Sequence, residues 1–258
     1  MFWIFGWTNL SSKPTKNDPN DLDKLHFTTS LKGVAIDLPR PLGKNTRQNA
    51  LYDLKADFYP QKGVDLFFNY DNRLSAKLWF DTTQRGFQLI KGTFRMGRGK
   101  ITKPMHNGIW LIGTLSFLDW QKWQTILTQH QRQSGVDGLL GQLSLIDLTL
   151  TRLMLGHLRY DNLMVKATKK GGKLWFLTLS NPDIRAKLHY HPQQNRLSGT
   201  IEHLLLPKPD FHLHHKRNLT THLYPSQIPS LDLVIKQLQV GDIHLGALNL
   251  KANSQKTS

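Results

Sequence analysis

The sequence predicts a mostly-β protein: an antiparallel meander of repeated units with one short docked helix. Three observations carry this. Apolar and polar residues alternate with period two in segment after segment, as in strands with one buried face. One stretch of the chain recurs further on. The breaks between alternating segments are short and made of turn residues, which joins neighbours antiparallel rather than through βαβ crossovers.

The repeat is gapless. Residues 146–167 (IDLTLTRLMLGHLRYDNLMVKA) align on residues 231–252 (LDLVIKQLQVGDIHLGALNLKA). Asp147, Leu148, Leu153, Gly156, Leu163, Lys166 and Ala167 return as Asp232, Leu233, Leu238, Gly241, Leu248, Lys251 and Ala252. Such repetition means one supersecondary unit set beside others, sharing a continuous face.

Taken in chain order, residues 1–23 open with the apolar MFWIFGW and continue into a polar, Pro-containing run, read as a loosely attached leader. The opening run is far shorter than the roughly 20 residues of a membrane span. It also lacks the basic start and cleavage site of a signal peptide. From residue 24 the strands begin. Leu25, Phe27 and Leu31 give way to Val34, Ile36 and Leu38, a parity switch that predicts a β-bulge at Gly33. Tyr52, Leu54, Ala56 and Phe58 alternate with Asp53, Lys55 and Asp57. Leu74, Ala76 and Leu78 continue the pattern, as do Ile184, Ala186, Leu188 and Tyr190 between Arg185, Lys187, His189 and His191. Both repeat copies switch parity partway, Leu150 to Leu153 and Ile235 to Leu238. Turns are expected at residues 69–72, at Gly171-Gly172 and at residues 192–195.

Residues 116–133 break the alternation. Trp120, Trp123, Ile126 and Leu127 recur at helical spacing, with Ser116 and Asp119 as a capping box and Gly135 as a stop. Residues 208–227, His-rich and flanked by prolines, read as a long loop between repeat copies.

The formal net charge is +16 over 258 residues. Arg85, Lys91, Arg95, Arg98, Lys100 and Lys103 fall in a window without a carboxylate and form a candidate basic face. Excess positive charge suits anionic partners such as phospholipid headgroups, lipopolysaccharide or nucleic acid; a merely solvated surface has the same composition. The chain has no cysteine, which excludes disulfides and thiolate metal sites. His189 with His191, and His212 with His214 and His215, have metal-like spacing but no acidic third ligand at a useful distance. Gly97-Arg98-Gly99-Lys100 lacks the spacing of a phosphate loop, and no nucleophile elbow is present. No catalytic residue, metal or cofactor is expected.

Three stretches together resemble the central region of the YhdP family, within the AsmA-like group of bacterial envelope proteins. These are SLKGVAIDLPRPLG (residues 30–43), GIWLIGTLSFLDWQKWQTIL (residues 108–127) and the region from Leu143 to Ala252 that holds the repeat. The likeness covers nearly everything from about residue 24 onward and rests on the order and spacing of the motifs. It implies an elongated, curved sheet whose apolar concave face forms a groove for acyl chains. It also implies residence at the inner membrane, facing the periplasm, with membrane association through family regions outside this chain, and a part in phospholipid movement to the outer membrane. The second repeat copy lacks the continuation that follows the first. The chain therefore reads as a fragment, incomplete at both ends, with an unpaired edge strand.

On that basis the expected groove lining is Leu148, Leu150, Ile184, Leu188, Leu233 and Ile235, and the expected partner is phospholipid. The same residues equally suit an ordinary sheet core under the helix. An envelope scaffold that binds proteins is the alternative function. A basic nucleic-acid binder is a further one, although no nucleic acid partner is expected.

Overall fold

The computed structural model of the protein describes residues 23–82, 86–130, 141–156, 158–171, 173–208 and 229–253. Leader residues 1–22, Arg85, the expected helix end at 131–133, and residues 209–228 with His212, His214 and His215 lie outside the described residues.

The mostly-β expectation holds. Fourteen strands form one open mixed sheet beside a single short α-helix among the described residues. The chain divides into two compact units, residues 1–148 and 149–258.

The first unit holds β1 (Asp23–Thr29), β2 (Tyr52–Tyr59), β3 (Gly63–Tyr70), β4 (Leu74–Asp81), β5 (Gln88–Met96), β6 (Gly108–Leu115), β7 (Leu118–Asp119) and α1 (Trp120–His130). β1 to β5 pair antiparallel in chain order. The register sets Leu54, Phe68, Ala76 and Phe94 in one row, with Tyr52, Tyr70, Leu74 and Met96 in another row of the same face. Ala76 is fully buried between two phenylalanines, and its small side chain lets Phe68 and Phe94 meet at 6.4 Å across it. Phe27, Tyr52 and Phe68 extend this ladder of rings at 6.3 and 6.1 Å. Alternation in the sequence thus becomes one apolar face, with Asp53, Lys55, Lys77 and Arg95 turned to the other.

The second unit contains most of β8 (Leu143–Leu155), then β9 (Leu158–Lys170), β10 (Leu174–Ser180), β11 (Ile184–His191), β12 (Arg196–Leu206), β13 (Ser230–Val240) and β14 (Ile243–Ala252). The expected turns are present. Asp71 and Asn72 both take positive φ between β3 and β4, Gly171 does so after β9, and a 3-10 turn at Pro192–Gln194 ends on left-handed Asn195. Such backbone twists match the twist of the flanking strands. The parity switch of β13 is a register shift against β14 between Ile235 and Leu238.

The structure departs from the sequence reading in three places. Two neighbours pair parallel, not antiparallel: β5 with β6, and β12 with β13. Parallel pairing needs a connection long enough to return along the strand, and residues 97–107 and 207–229 are the two connections that supply it. The first lies against the polar face: Pro104 is buried, and Lys103 Nζ reaches Asp65 Oδ2 at 2.5 Å and sits 5.2 Å from the Trp79 ring. Second, no bulge forms at Gly33. β1 ends at Thr29, and Leu31 and Gly33 take positive φ in a turn that opens a folded loop. Third, α1 begins at Trp120, later than the expected residue 116, because Leu118 and Asp119 form a bridge strand with β8. Asp119 rather than Ser116 caps it: its carboxylate accepts from the Lys122 backbone N–H at 3.3 Å.

Candidate functional site

The candidate surface is the apolar face of the second unit, and it is built by register. Lys169, Trp175, Tyr190, Leu197 and Leu231 stand side by side in one row across β9 to β13. Ala167, Leu177, Leu188, Gly199, Leu233 and Leu250 form the next row. Val165, Leu179, Ala186, Ile201, Ile235 and Leu248 form the row after that. Directly opposed residues share a face, so three rows of apolar side chains run from strand to strand. Between them point Lys166, Thr178, Lys187, Thr200 and Asn249 to the other side.

Within this face lies a closed floor. Ala186, Leu188, Ile201, Leu233 and Ile235 form one buried cluster, against which Leu177, Leu179, Ile184, Leu197, Leu204, Leu231 and Leu238 pack while staying partly exposed. Gly199 is essential to the floor: without a side chain there, Leu188 and Leu233 close in from either side. Its φ is +141°, and an added Cβ would stand 2.3 Å from the Lys187 carbonyl oxygen. No α-helix covers this face among the described residues of 149–258.

One end of the face changes character. Lys169 Nζ lies 5.9 Å from the Trp175 ring, and beside them the Tyr190 hydroxyl donates to Asn195 Oδ1 at 3.2 Å. Rows that are apolar in the body and aromatic-cationic at the rim suit an amphiphile.

Ile184, Leu188, Leu233 and Ile235 come together in this cluster. Leu148 and Leu150 are also buried, but on β8, with β9 and β10 between them and β11 in the strand order. The residues that sequence reasoning missed are the half-exposed ones: Leu177, Leu197, Leu231 and the Lys169–Trp175–Tyr190 rim. Alternation marks which residues share a face, but only register brings rows together.

The basic residues are dispersed. Lys91 and Arg95 lie on the polar face of β5, and Arg95 Nε donates to the Arg98 carbonyl at 3.3 Å. Arg98 and Lys100 are exposed on the 97–107 connection, while Lys103 is engaged by Asp65. His189 meets Phe176 edge-on at 4.8 Å on the polar face. Among the described residues no three His, Cys, Asp or Glu side chains gather as a metal site.

Asp53 carries a shifted carboxyl in the first unit. Burial pushes it up, but the hydrogen bond from His26, the Lys55 charge and the Thr28 hydroxyl outweigh this and hold it below its ordinary value. His26 Nε2 lies 2.6 Å from Asp53 Oδ1, which ties β1 to β2.

The fold and the face define a class: a strand-built protein with one apolar and one polar sheet surface and a single short helix among the described residues. The chain belongs to the YhdP protein family, whose profile matches residues 3–258. That places it among AsmA-like proteins of the cell envelope. No curated protein and no solved structure matches it. Among the described residues no helix is long and apolar enough to cross a membrane.

Proposed function

We propose that the apolar face of residues 149–258 shelters phospholipid acyl chains, and that the protein passes phospholipid between the inner and outer membranes without catalysis. The observation that carries this reading is the run of apolar rows from β9 to β14, with half-exposed leucines standing on a closed floor. In this reading the buried Leu188, Leu233 and Ile235 are the floor, and Leu177, Leu197 and Leu231 touch the chains. The Lys169–Trp175–Tyr190 row meets the headgroup end. Sheltered apolar area supplies about 25 cal/mol per Å², enough to hold an acyl chain while leaving it mobile along a face without directional bonds. Lipid would then move by diffusion on the periplasmic side of the inner membrane.

Gently extracted protein should carry phospholipid by mass spectrometry. The double variant Leu197→Asp/Leu231→Asp puts two carboxylates side by side on the face. It should lower bound phospholipid by roughly tenfold, since each charge set against an acyl chain costs more than the ~1.4 kcal/mol that a tenfold change requires. Wild-type protein free of phospholipid overturns the reading.

A further inference from the structure

Charged side chains in residues 149–258 are segregated along the strands. The register brings Lys170, Leu174, His191, Arg196 and Ser230 to one end of β9 to β13. The two turns at that end, residues 169–174 and 191–196, contain Lys169, Lys170, Lys173, His191 and Arg196 and no carboxylate. The first carboxylate inward along β13, Asp232, is bound by Arg196 and stands opposite Lys251. The other end of the strands is of mixed sign. Asp161 is bound there by Arg159 at 2.7 Å and Arg152 at 3.6 Å, Asp183 precedes β11, and Asp242 is bound by Lys208.

Aromatic rings gather at the cationic end, and the chain's own cations already meet them. Lys169 Nζ lies 5.9 Å from the Trp175 ring and Lys170 Nζ 4.9 Å from the Phe176 ring. His189 meets Phe176 edge-on, and the Tyr190 hydroxyl is engaged by Asn195. Consecutive strand residues point to opposite faces, so Lys169 and Lys170 make this end cationic on both. Lys170 and Lys173 are exposed and form no ion pair among the described residues.

An amphiphile whose acyl chains lie on the apolar rows meets this end with its headgroup. A zwitterionic headgroup brings an ammonium beside its phosphate. That ammonium needs a carboxylate or a ring without a cation of its own. Here Asp232 is engaged by Arg196, and Trp175 and Phe176 each have a lysine. A headgroup of net negative charge brings no ammonium to repel, and each lysine offers three N–H donors to its phosphate. Unpaired like charge set against the competitor is how such a site discriminates.

We infer that the strand ends at residues 169–173 and 191–196 select phospholipids whose headgroup carries net negative charge. The headgroup sits at this end, and the acyl chains run along the strands from it. Lys170 and Lys173 reach the phosphate from the turn after β9, and Lys169 does so from the apolar face. The inference rests on the acyl-chain reading above and adds to it the substrate class and the orientation of the bound lipid.

The test incubates the full chain with vesicles of equal parts phosphatidylglycerol and phosphatidylethanolamine, re-isolates it, and measures its bound lipid by mass spectrometry. Bound phosphatidylglycerol should exceed phosphatidylethanolamine at least about threefold, as exposed lysine–phosphate contacts are worth a few-fold in affinity. At about 1 M salt, where the Debye length is about 3 Å, the ratio should fall towards one. Lys170→Gln/Lys173→Gln should bring it near one at low salt. Arg152→Gln/Arg159→Gln removes the same charge at the opposite end and should leave the wild-type ratio. Bound lipid without a headgroup bias overturns the inference and leaves the acyl-chain reading standing. A bias that both double variants abolish equally also overturns it, and assigns the preference to net charge. Absence of bound lipid overturns the inference together with the reading.

Discussion

Lys44 shows how one side chain organises a segment without regular structure. It is 5% exposed, and its ammonium donates to three backbone carbonyls: Leu31 at 2.8 Å, Asn45 at 3.1 Å, and Val34. The loop it ties is further held by the Tyr70 hydroxyl on the Leu42 carbonyl at 2.9 Å and by Trp123 Nε1 on the Arg40 carbonyl at 3.2 Å. A buried charge persists only when its hydrogen bonds are complete. Lys44→Met keeps the stem but orphans the carbonyls, and should cost about 3 kcal/mol in urea unfolding. The sequence analysis did not single out Lys44, because nothing in a run of letters tells which lysine is buried. Asp53 supports a second expectation. A carboxylate held low by partners contributes stability above its unfolded pKa, near 3.9, and that contribution is lost as pH falls through the lower folded value. Acid unfolding of the wild type should therefore steepen below about pH 4, and Asp53→Asn should remove that part of the slope.

At the scale of elements, glycine at position 199 is required by both backbone and packing. Gly199→Ala combines an unfavourable φ with a Cβ that strikes the Lys187 carbonyl. It should destabilise by about 2 kcal/mol in thermal or chemical melts, as overpacked cores do. The same substitution at Gly171, where an added Cβ meets nothing, should cost less. This contrast also says what was legible. Strand existence, the hairpin turns and the parity switches of the repeat were all readable, since each follows from local chemistry at known spacing. The bulge expected at Gly33 was not formed, because the loop's stability comes from Lys44, Tyr70 and Trp123, which lie 11 to 90 residues away in the chain. The helix start moved for a similar reason: β8, a later segment, pairs with Leu118 and Asp119.

At the scale of the molecule, the candidate face was half legible. Alternation pointed to Leu188, Leu233 and Ile235, but their closure by neighbours, and the half-exposed leucines above them, depend on register across six strands. The double aspartate variant probes that scale: it should remove bound lipid and leave the sheet standing, because Leu197 and Leu231 pack on the floor without forming it. The parallel joints were the least legible feature, since both arise from long connections whose direction of return no local pattern encodes. They bear on how the chain reaches its fold. A hairpin such as β3–β4 first closes between Tyr70 and Leu74, four residues apart, whereas β13 pairs with β12 across an offset of 34 residues. The loop-closure difference, (3/2)RT ln(34/4), is roughly 2 kcal/mol of entropy. Hairpins therefore assemble early, and β5–β6 and β12–β13 close late. By the same arithmetic β12–β13, offset by 34 residues, costs more entropy to close than β5–β6, offset by 17.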